Sequence, residues 1–172
     1  MKFNDLINNE NIYLYCGDMN IQRRIFTNKN FLGLSLTQDN STHIKHDIRE
    51  KITLPDNSVN IIQSEDVMEH IEYNKLVEIF NEFYRILKPE GLFRLSIPDY
   101  NCDILKKRSL KDINGKIVFD KFGGGDYDFK NNKVISGGHL WFPNYTLIKS
   151  LIDSSKFSNC KIEYLHYYDE NN

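Results

Sequence analysis

Apolar positions along the chain fall mostly into short blocks separated by turn-forming clusters. Ile12 to Cys16 is apolar and stops at Gly17-Asp18, Phe31 to Leu36 repeats the pattern, and Thr42 to Lys45 is a third block. Blocks of this length bounded by Gly, Asn and Asp predict strands. Leu54-Pro55-Asp56-Asn57 is turn chemistry, and the β-branched run Val59 to Gln63 after it predicts a fourth strand. Between the first two strands only Ile21 to Phe26 has room for a turn or two of helix, so that crossover is minimal. One longer pattern breaks the series. Across Tyr73 to Leu87, the residues Leu76, Phe80, Phe83 and Leu87 form a single stripe, widened by Val77 and Tyr84, which predicts an amphipathic helix. Pro89 and Gly91 predict its end, because Pro disfavours helical geometry at Lys88 and Gly tolerates positive φ. Leu92 to Ile97 then alternates as a strand closed by Pro98-Asp99.

The section from Tyr100 to Phe142 has no sustained period. Asn114-Gly115 predicts a hairpin turn, and Gly123 to Gly125 reads as a mobile rim. It is not a phosphate loop, since neither Lys-Ser nor Lys-Thr follows. Pro143 suits the first turn of a last helix through about Ser154, with Leu147–Leu151 and Ile148–Ile152 as core pairs, and Cys160 to Tyr168 reads as a final strand. Strands alternating with helical segments predict an α/β, doubly wound, mainly parallel Rossmann-like sheet with helices on both faces. A chain of 172 residues suits one domain spanning 1–172, with an irregular insertion at about 100–142.

Composition narrows the function classes. Hydrophobic residues at 40% and aromatics at 13% are a globular profile. Lys and Arg number 22 against 24 Asp and Glu, a net charge of −2, so no basic field favours nucleic acid or a membrane surface. MKFNDLINNE lacks the apolar core of a signal peptide, and no apolar run is long enough to span a bilayer. The three cysteines stand far apart without a CxxC pair, which suits a reducing, cytoplasmic setting.

Three strings, LPDNSVNIIQSEDVMEHI, RILKPEGLFRLSIPD and GGHLWFPNYTLIKSLI, follow one another in an order that resembles the class I S-adenosylmethionine-dependent methyltransferases, over roughly Ile12 to Tyr168. The resemblance is to a compact branch with a degenerate glycine motif. It implies a shortened methyltransferase fold, S-adenosyl-L-methionine as cofactor, and methyl transfer to a small-molecule or sugar-containing (glycan) acceptor. In that family the cofactor lies across the carboxyl edge of the leading strands. The glycine loop is YLYCGDM here, so Tyr15, Cys16 and Gly17 are expected at the cofactor, with Gly17 matching the last glycine and Tyr15 in place of the first. Ser35 stands where an acidic ribose ligand is usual, with Asp39 nearby. Asp47 matches the acceptor for the adenine amino group, and Ser64 and Glu65 are expected beside the transferring methyl. Tyr15 and Ser35 also support a second expectation, a catalytically silent methyltransferase-like binding or assembly subunit.

Glu65, Asp66, Glu69 and His70 form a knot of ionisable groups with two readings. Asp66 followed by Glu69 has the spacing of a capping box, and both acids suit the positive end of a helix dipole. The same groups could also serve chemistry. Methyl transfer requires alignment, and a base only if the acceptor must lose a proton. The catalytic candidates are Asp66, His70 and then His139 in GGHLWF, for which the competing reading is a loop histidine bonded to backbone. Tyr127, Phe129, Trp141 and Phe142 read either as an acceptor pocket or as a layer over core. His43 and His46 with Asp47 offer no full ligand set, so no metal is expected there. Lys106 to Arg108 reads as a solvated helix end. A nicotinamide-dependent oxidoreductase needs GxGxxG after its first strand, whereas Ile12 to Ile21 holds a single glycine. So short a chain leaves room for a second copy or a partner subunit to complete the pocket.

Overall fold

The computed structural model describes residues 1–19 and 30–164. Its centre is a parallel sheet of β1 (Tyr13–Cys16), β2 (Leu32–Ser35), β3 (His43–Lys45), β4 (Val59–Glu65) and β5 (Leu87–Ser96), in the order β3-β2-β1-β4-β5. This is the mainly parallel, shortened Rossmann-like arrangement that the alternation of elements predicts. β1 lies between β2 and β4, so the order reverses there, and ligands of such sheets bind at that switch point, outside the carboxyl ends of the strands.

Alternate residues along each strand serve opposite faces. Leu14, Cys16, Leu34, Ile44 and Ile62 join the main core, together with Leu76, Ile79, Phe80, Phe83 and Ile86 of helix α1 (Leu76–Ile86). Phe80 and Phe83 meet Phe93 of β5 edge-on, at 5.4 and 5.3 Å between ring centroids. On the other face a smaller cluster gathers Tyr15, Met19 and Phe31 with Tyr13 and Ile61. The short helix expected at Ile21 to Phe26 lies outside the described residues.

The turn after α1 differs from its sequence expectation. Leu87 begins β5 at once, and residues 88–91 bulge outward, since Val59 pairs with Leu87 and Ile61 with Leu92. The residue in the left-handed region is Glu90, at φ 64°, rather than Gly91. Gly91 is required for space instead: a Cβ there would lie 2.8 Å from the Lys88 carbonyl oxygen.

Arg85 of α1 fixes the connection that leads into β4. Its guanidinium donates to the carbonyls of Ile52 (2.8 Å) and Leu54 (2.9 Å) and to the carboxylates of Glu82 (2.7 Å) and Asp56 (2.6 Å). Hydrogen bonds from Arg85 hold Glu82 below the usual carboxylate range, against the effect of burial, with the Ile52 N–H adding to the same side. A depressed folded pKa gives stability that is present above the unfolded value, near 4.3, and lost as pH falls through the folded one. Arg85→Met is therefore expected to cost about 1–3 kcal/mol at pH 7, through the donors lost at two carbonyls. It should also flatten the loss of stability between about pH 5 and 3. Urea titrations at pH 7 and across the acid range check this, and an unchanged acid slope would contradict it.

After β5 come α2 (Asp103–Arg108) and two antiparallel hairpins, β6 (Ser109–Lys111) with β7 (Ile117–Asp120), and β8 (Asp126–Asp128) with β9 (Lys133–Ser136). Gly115, at φ 78°, turns the first hairpin, and Asp112 Oδ1 accepts from the N–H groups of Asn114 and Lys116, both at 2.9 Å. Helix α3 (Tyr145–Asp153) is capped by Asn144, whose side chain accepts from Leu147 N–H at 3.0 Å. Pro143 thus precedes the cap and does not occupy the first turn as the sequence suggested; its carbonyl accepts from Tyr100 N–H at 2.7 Å. Residues 160–164 form no strand, and the remainder of the strand expected there lies outside the described residues.

Candidate functional site

At the switch point a cleft of about 330 Å³ opens between Tyr15–Asp18, at the carboxyl end of β1, and Glu65–Val67, at the carboxyl end of β4. Each rim carries a left-handed residue, Gly17 at φ 94° and Asp66 at φ 50°. Gly17 N–H donates to the Leu34 carbonyl at 2.8 Å, and a Cβ on Gly17 would touch Val67 Cγ2 at 3.4 Å. That contact is ordinary, so it is the left-handed backbone at this rim that calls for glycine. A larger hollow, about 640 Å³, lies beside Asn9, Asn11 and Asn30 and carries none of the acid or base candidates.

Tyr15 is 4% exposed and packs with Met19 and Phe31, and its hydroxyl donates to Glu65 Oε2 at 3.4 Å. The ring is one wall of the cleft, which stays open beside it. Glu65 Oε1 accepts from Gln63 Nε2 at 2.8 Å and pairs with Arg94. Cys16 and Ser64 face each other in the β1–β4 register and are fully buried. Burial pushes the Cys16 thiol up to about 12, against a smaller opposing effect of the Ser64 hydroxyl, so it is no nucleophile.

Ser35 is also fully buried, and its hydroxyl oxygen accepts from the N–H groups of Thr37 (3.0 Å) and Gln38 (2.8 Å), closing the turn after β2. Asp39 pairs with the amino group of Met1 at 3.2 Å. Asp47 accepts from Arg49 through the guanidinium, at 2.6 Å for the shortest contact, and through the backbone N–H at 3.0 Å. These bonds, the guanidinium's first, hold its carboxyl below the usual range against partial burial. His43 and His46 do not converge with Asp47 on one point. His43 Nε2 accepts from Met19 N–H at 3.0 Å, whereas His46 stands edge-on to Phe3 at 5.1 Å.

Past Asp66 the chain makes a single 3₁₀ turn, Met68–His70, and here the capping reading fails. The N-cap is Val67, with no side-chain cap bond, and Glu69 is turned into the interior. Residues 138–141 strap this turn down. Leu140 N–H donates to the Glu69 carbonyl at 2.8 Å, Trp141 Nε1 to the Met68 carbonyl at 2.9 Å, and His70 Nδ1 to the Gly138 carbonyl at 2.9 Å. The strap sets His139 over Glu69, with Nε2 3.8 Å from Oε1, and its ring lies 4.8 Å from that of His70.

The Glu69 side chain is 1% exposed, and among the described residues neither carboxylate oxygen meets a hydrogen-bond partner outside its own residue. Burial pushes its pKa up to about 7, with its own N–H acting against and the Asp66 charge acting with that shift. His139 Nδ1 lies 2.5 Å from the Tyr100 hydroxyl, which in turn lies 2.5 Å from Asp120 Oδ2. Asp120 is 1% exposed, and Arg108 donates to the same oxygen at 2.6 and 3.0 Å. Burial alone would raise Asp120, but Arg108, Tyr100 and the Phe122 N–H outweigh it and hold it low. An ionised carboxylate only accepts, so Tyr100 gives it the hydroxyl proton and His139 Nδ1–H donates to the Tyr100 oxygen. The His139 Nε2 lone pair is left facing Glu69. Burial first, and His70 second, bring His139 down to about 4, so the ring is neutral near pH 7.

Of the triplet expected to be a mobile rim, Gly123 and Gly125 are closely approached, a Cβ on Gly123 lying 2.9 Å from His139 Cδ2 and one on Gly125 2.4 Å from the Ser136 carbonyl oxygen, whereas Gly124, at φ 77°, has open space around it. Arg108 is likewise no solvated helix end, being committed to Asp120. Of the three candidates, Asp66 lines the cleft, while His70 and His139 stand together one turn further along. Tyr100, Arg108 and Asp120 escaped the sequence reading, and only the basic run containing Arg108 gave any local signal.

Residues 24–95, ending within β5, match the family model described as a methyltransferase domain. With the five-stranded parallel sheet, that match supports the class I S-adenosylmethionine-dependent methyltransferase family and methyl transfer in general terms. Domains of this family typically use S-adenosylmethionine. No curated protein matches the chain. Among the described residues no helix is long and apolar enough to cross a membrane.

Proposed function

We propose that this chain, a protein of the class I S-adenosylmethionine-dependent methyltransferase family, transfers a methyl group to a small-molecule or sugar-containing acceptor at the β1–β4 cleft. The carrying observation is the open cleft at the switch point, lined on one rim by a left-handed Gly17 whose Cβ-free backbone a ligand can approach closely. When bound, S-adenosylmethionine supplies an electrophilic methyl: an acceptor lone pair forms the new bond as the carbon–sulfur bond breaks, and the electron pair stays on sulfur. In this reading Tyr15, Cys16 and Gly17 hold the methionine side and Asp47 takes the adenine amino group. Glu65, aligned by Gln63 and Arg94, stands at the methyl with Ser64 behind it. Asp66, or the Nε2 lone pairs of His70 and His139, takes the proton that a hydroxyl acceptor loses.

The acceptor enters over the hairpins, where Phe122, Phe129, Ile135 and Leu140 are exposed. Aromatic faces suit the C–H faces of a sugar ring, and a second copy or partner subunit over the same residues would complete the pocket. A cytoplasmic setting fits the reduced, buried Cys16.

The test is release of S-adenosylhomocysteine over time against a panel of hydroxylated and glycosyl acceptors, with thermal shift alongside. Ligand at about 100 times its dissociation constant stabilises by about 2.7 kcal/mol. No shift at millimolar S-adenosylmethionine or S-adenosylhomocysteine overturns the reading. Asp47→Ala is expected to weaken S-adenosylhomocysteine about tenfold, the scale of one charge-assisted hydrogen bond. The second reading, a silent binding subunit, is favoured by Ser35, whose oxygen is already engaged by two N–H groups where the family presents a carboxylate. It requires a thermal shift without product release.

A further inference from the structure

We propose that Glu69, His70 and His139 form a divalent-cation site, with one carboxylate oxygen and the two Nε2 atoms as ligands and the remaining coordination positions open. One ligand atom from each residue lies within 4.8 Å of the other two. A closure of under about 2 Å per pair brings them around a single ion at ordinary ligand distances of about 2.0–2.2 Å.

Three further features make this a built site. First, Glu69 is almost fully buried, is aimed at His139 Nε2, and has no hydrogen-bond partner beyond its own residue among the described residues. An isolated carboxylate in the interior is strongly disfavoured, and a cation between it and the two imidazoles removes that cost. Second, both rings are locked with Nδ1 outward and donating, His70 to the Gly138 carbonyl and His139 to Tyr100, which is itself anchored on Asp120. Donation from the far ring nitrogen to a carbonyl or to a carboxylate-backed hydroxyl fixes the tautomer and leaves Nε2 as a ligand. Third, Gly123 packs against the His139 ring and the strap at Leu140 and Trp141 is bonded to the 3₁₀ turn, so the geometry is held by the fold.

Two imidazoles and one carboxylate suit Zn²⁺, Mn²⁺, Fe²⁺ or Co²⁺ and leave positions for ligands from outside the protein. A function for the ion rests on the methyl-transfer reading. With both Nε2 atoms committed to the ion, Asp66 is the base: an acceptor hydroxyl coordinated through its oxygen gives up its proton more readily, to the Asp66 carboxylate, and is oriented towards the cleft. The acceptor class would then be a compound presenting one hydroxyl, or two neighbouring oxygens, to a metal.

The experiment uses the full chain stripped with a chelator and then titrated separately with MnCl₂, ZnCl₂ and CoCl₂. Readouts are calorimetry, the Mn²⁺ paramagnetic resonance signal and the visible absorption of Co²⁺. One equivalent is expected to bind, with nitrogen ligation visible in the Co²⁺ spectrum. Glu69→Gln and His70→Ala, checked for folding by circular dichroism, should each weaken binding by at least tenfold, and Tyr100→Phe by about tenfold while leaving all three ligands in place. No binding at 100 µM of any of the three ions (about the range of weak adventitious sites), or equal binding by wild type and both ligand variants, overturns the site. S-adenosylhomocysteine binding is measured separately on the stripped protein. Its loss with intact cation binding counts against the methyl-transfer reading alone, and the reverse pattern against the cation site alone.

Discussion

Asp120→Ala is expected to destabilise the protein by about 3 kcal/mol, the lower end of the range for removing one partner of a buried ion pair. Asp120 Oδ2 is the shared acceptor for the Tyr100 hydroxyl and for two Arg108 nitrogens, and Oδ1 takes the Phe122 N–H at 2.9 Å. Removing the carboxylate deprives the hydroxyl of its present acceptor and leaves that N–H without one. The Arg108 side chain is 30% exposed and recovers water in part, which places the cost at the low end. A functional consequence follows in the protein that remains folded. Tyr100 no longer has a carboxylate to donate to, so its proton is free to turn to His139 Nδ1, and the lone pair facing Glu69 becomes an N–H. Asp120→Asn retains an acceptor oxygen and should lose clearly less stability. In the double variant Asp120→Ala/Arg108→Ala the loss should fall short of the sum of the singles, because the two residues share one interaction. Urea unfolding of the wild type, the three single variants and the double variant measures this, and a loss below about 1 kcal/mol for Asp120→Ala would mean that the pair is not closed in solution.

The frame was legible because its signals are local. The alternation along Ile12–Cys16 and Val59–Gln63, the turn residues that bound them and the 3.6-residue stripe of Leu76, Phe80 and Phe83 each act within a few positions, and they place β1, β4 and α1. The site was legible only in its parts. Asp66 and Glu69 have capping-box spacing, and local pattern does not distinguish a carboxylate that caps from one folded under a distant strap. Leu140 and Trp141, some seventy positions along, decide the matter by bonding to the turn. Asp120 sits in a short β-hairpin strand, and its role exists only once Tyr100 and Arg108 arrive beside it. Glycine misled in two ways. Glu90 takes the left-handed backbone expected of Gly91, and two of the three glycines of Gly123–Gly125, the first and the last, lie in close approach to His139 and Ser136 where a mobile rim was expected. Absence of a side chain permits both a turn and a tight approach, and only neighbours in space choose between them.

Gly33→Ala should cost the molecule its nucleoside affinity, through a contact that no motif marks. Gly33 lies in β2 beneath the His43 ring, and a Cβ there would fall 2.3 Å from His43 Cδ2 and 2.9 Å from the Gly17 carbonyl oxygen. Both distances are far inside van der Waals contact, so the ring and the loop after β1 must move together. The ring cannot move freely, because its Nε2 accepts from Met19 N–H at 3.0 Å and its Nδ1 meets Thr42 Oγ1 at 2.9 Å. Overpacking of this kind costs about 1–3 kcal/mol of stability. The larger effect is expected in binding, since Gly17 and Met19 belong to the loop that forms one rim of the cleft, and a displacement of about 1 Å there is enough to lose tenfold or more in S-adenosylhomocysteine affinity. His43→Ala separates obstruction from mere destabilisation. With the ring gone, the methyl at position 33 has space on that side, so Gly33→Ala should cost less stability in the His43→Ala background than in the wild type, although Met19 N–H then lacks its acceptor in both proteins. Equal costs in the two backgrounds would show that the loop, through the Gly17 carbonyl, and not the imidazole, is what demands glycine at this position.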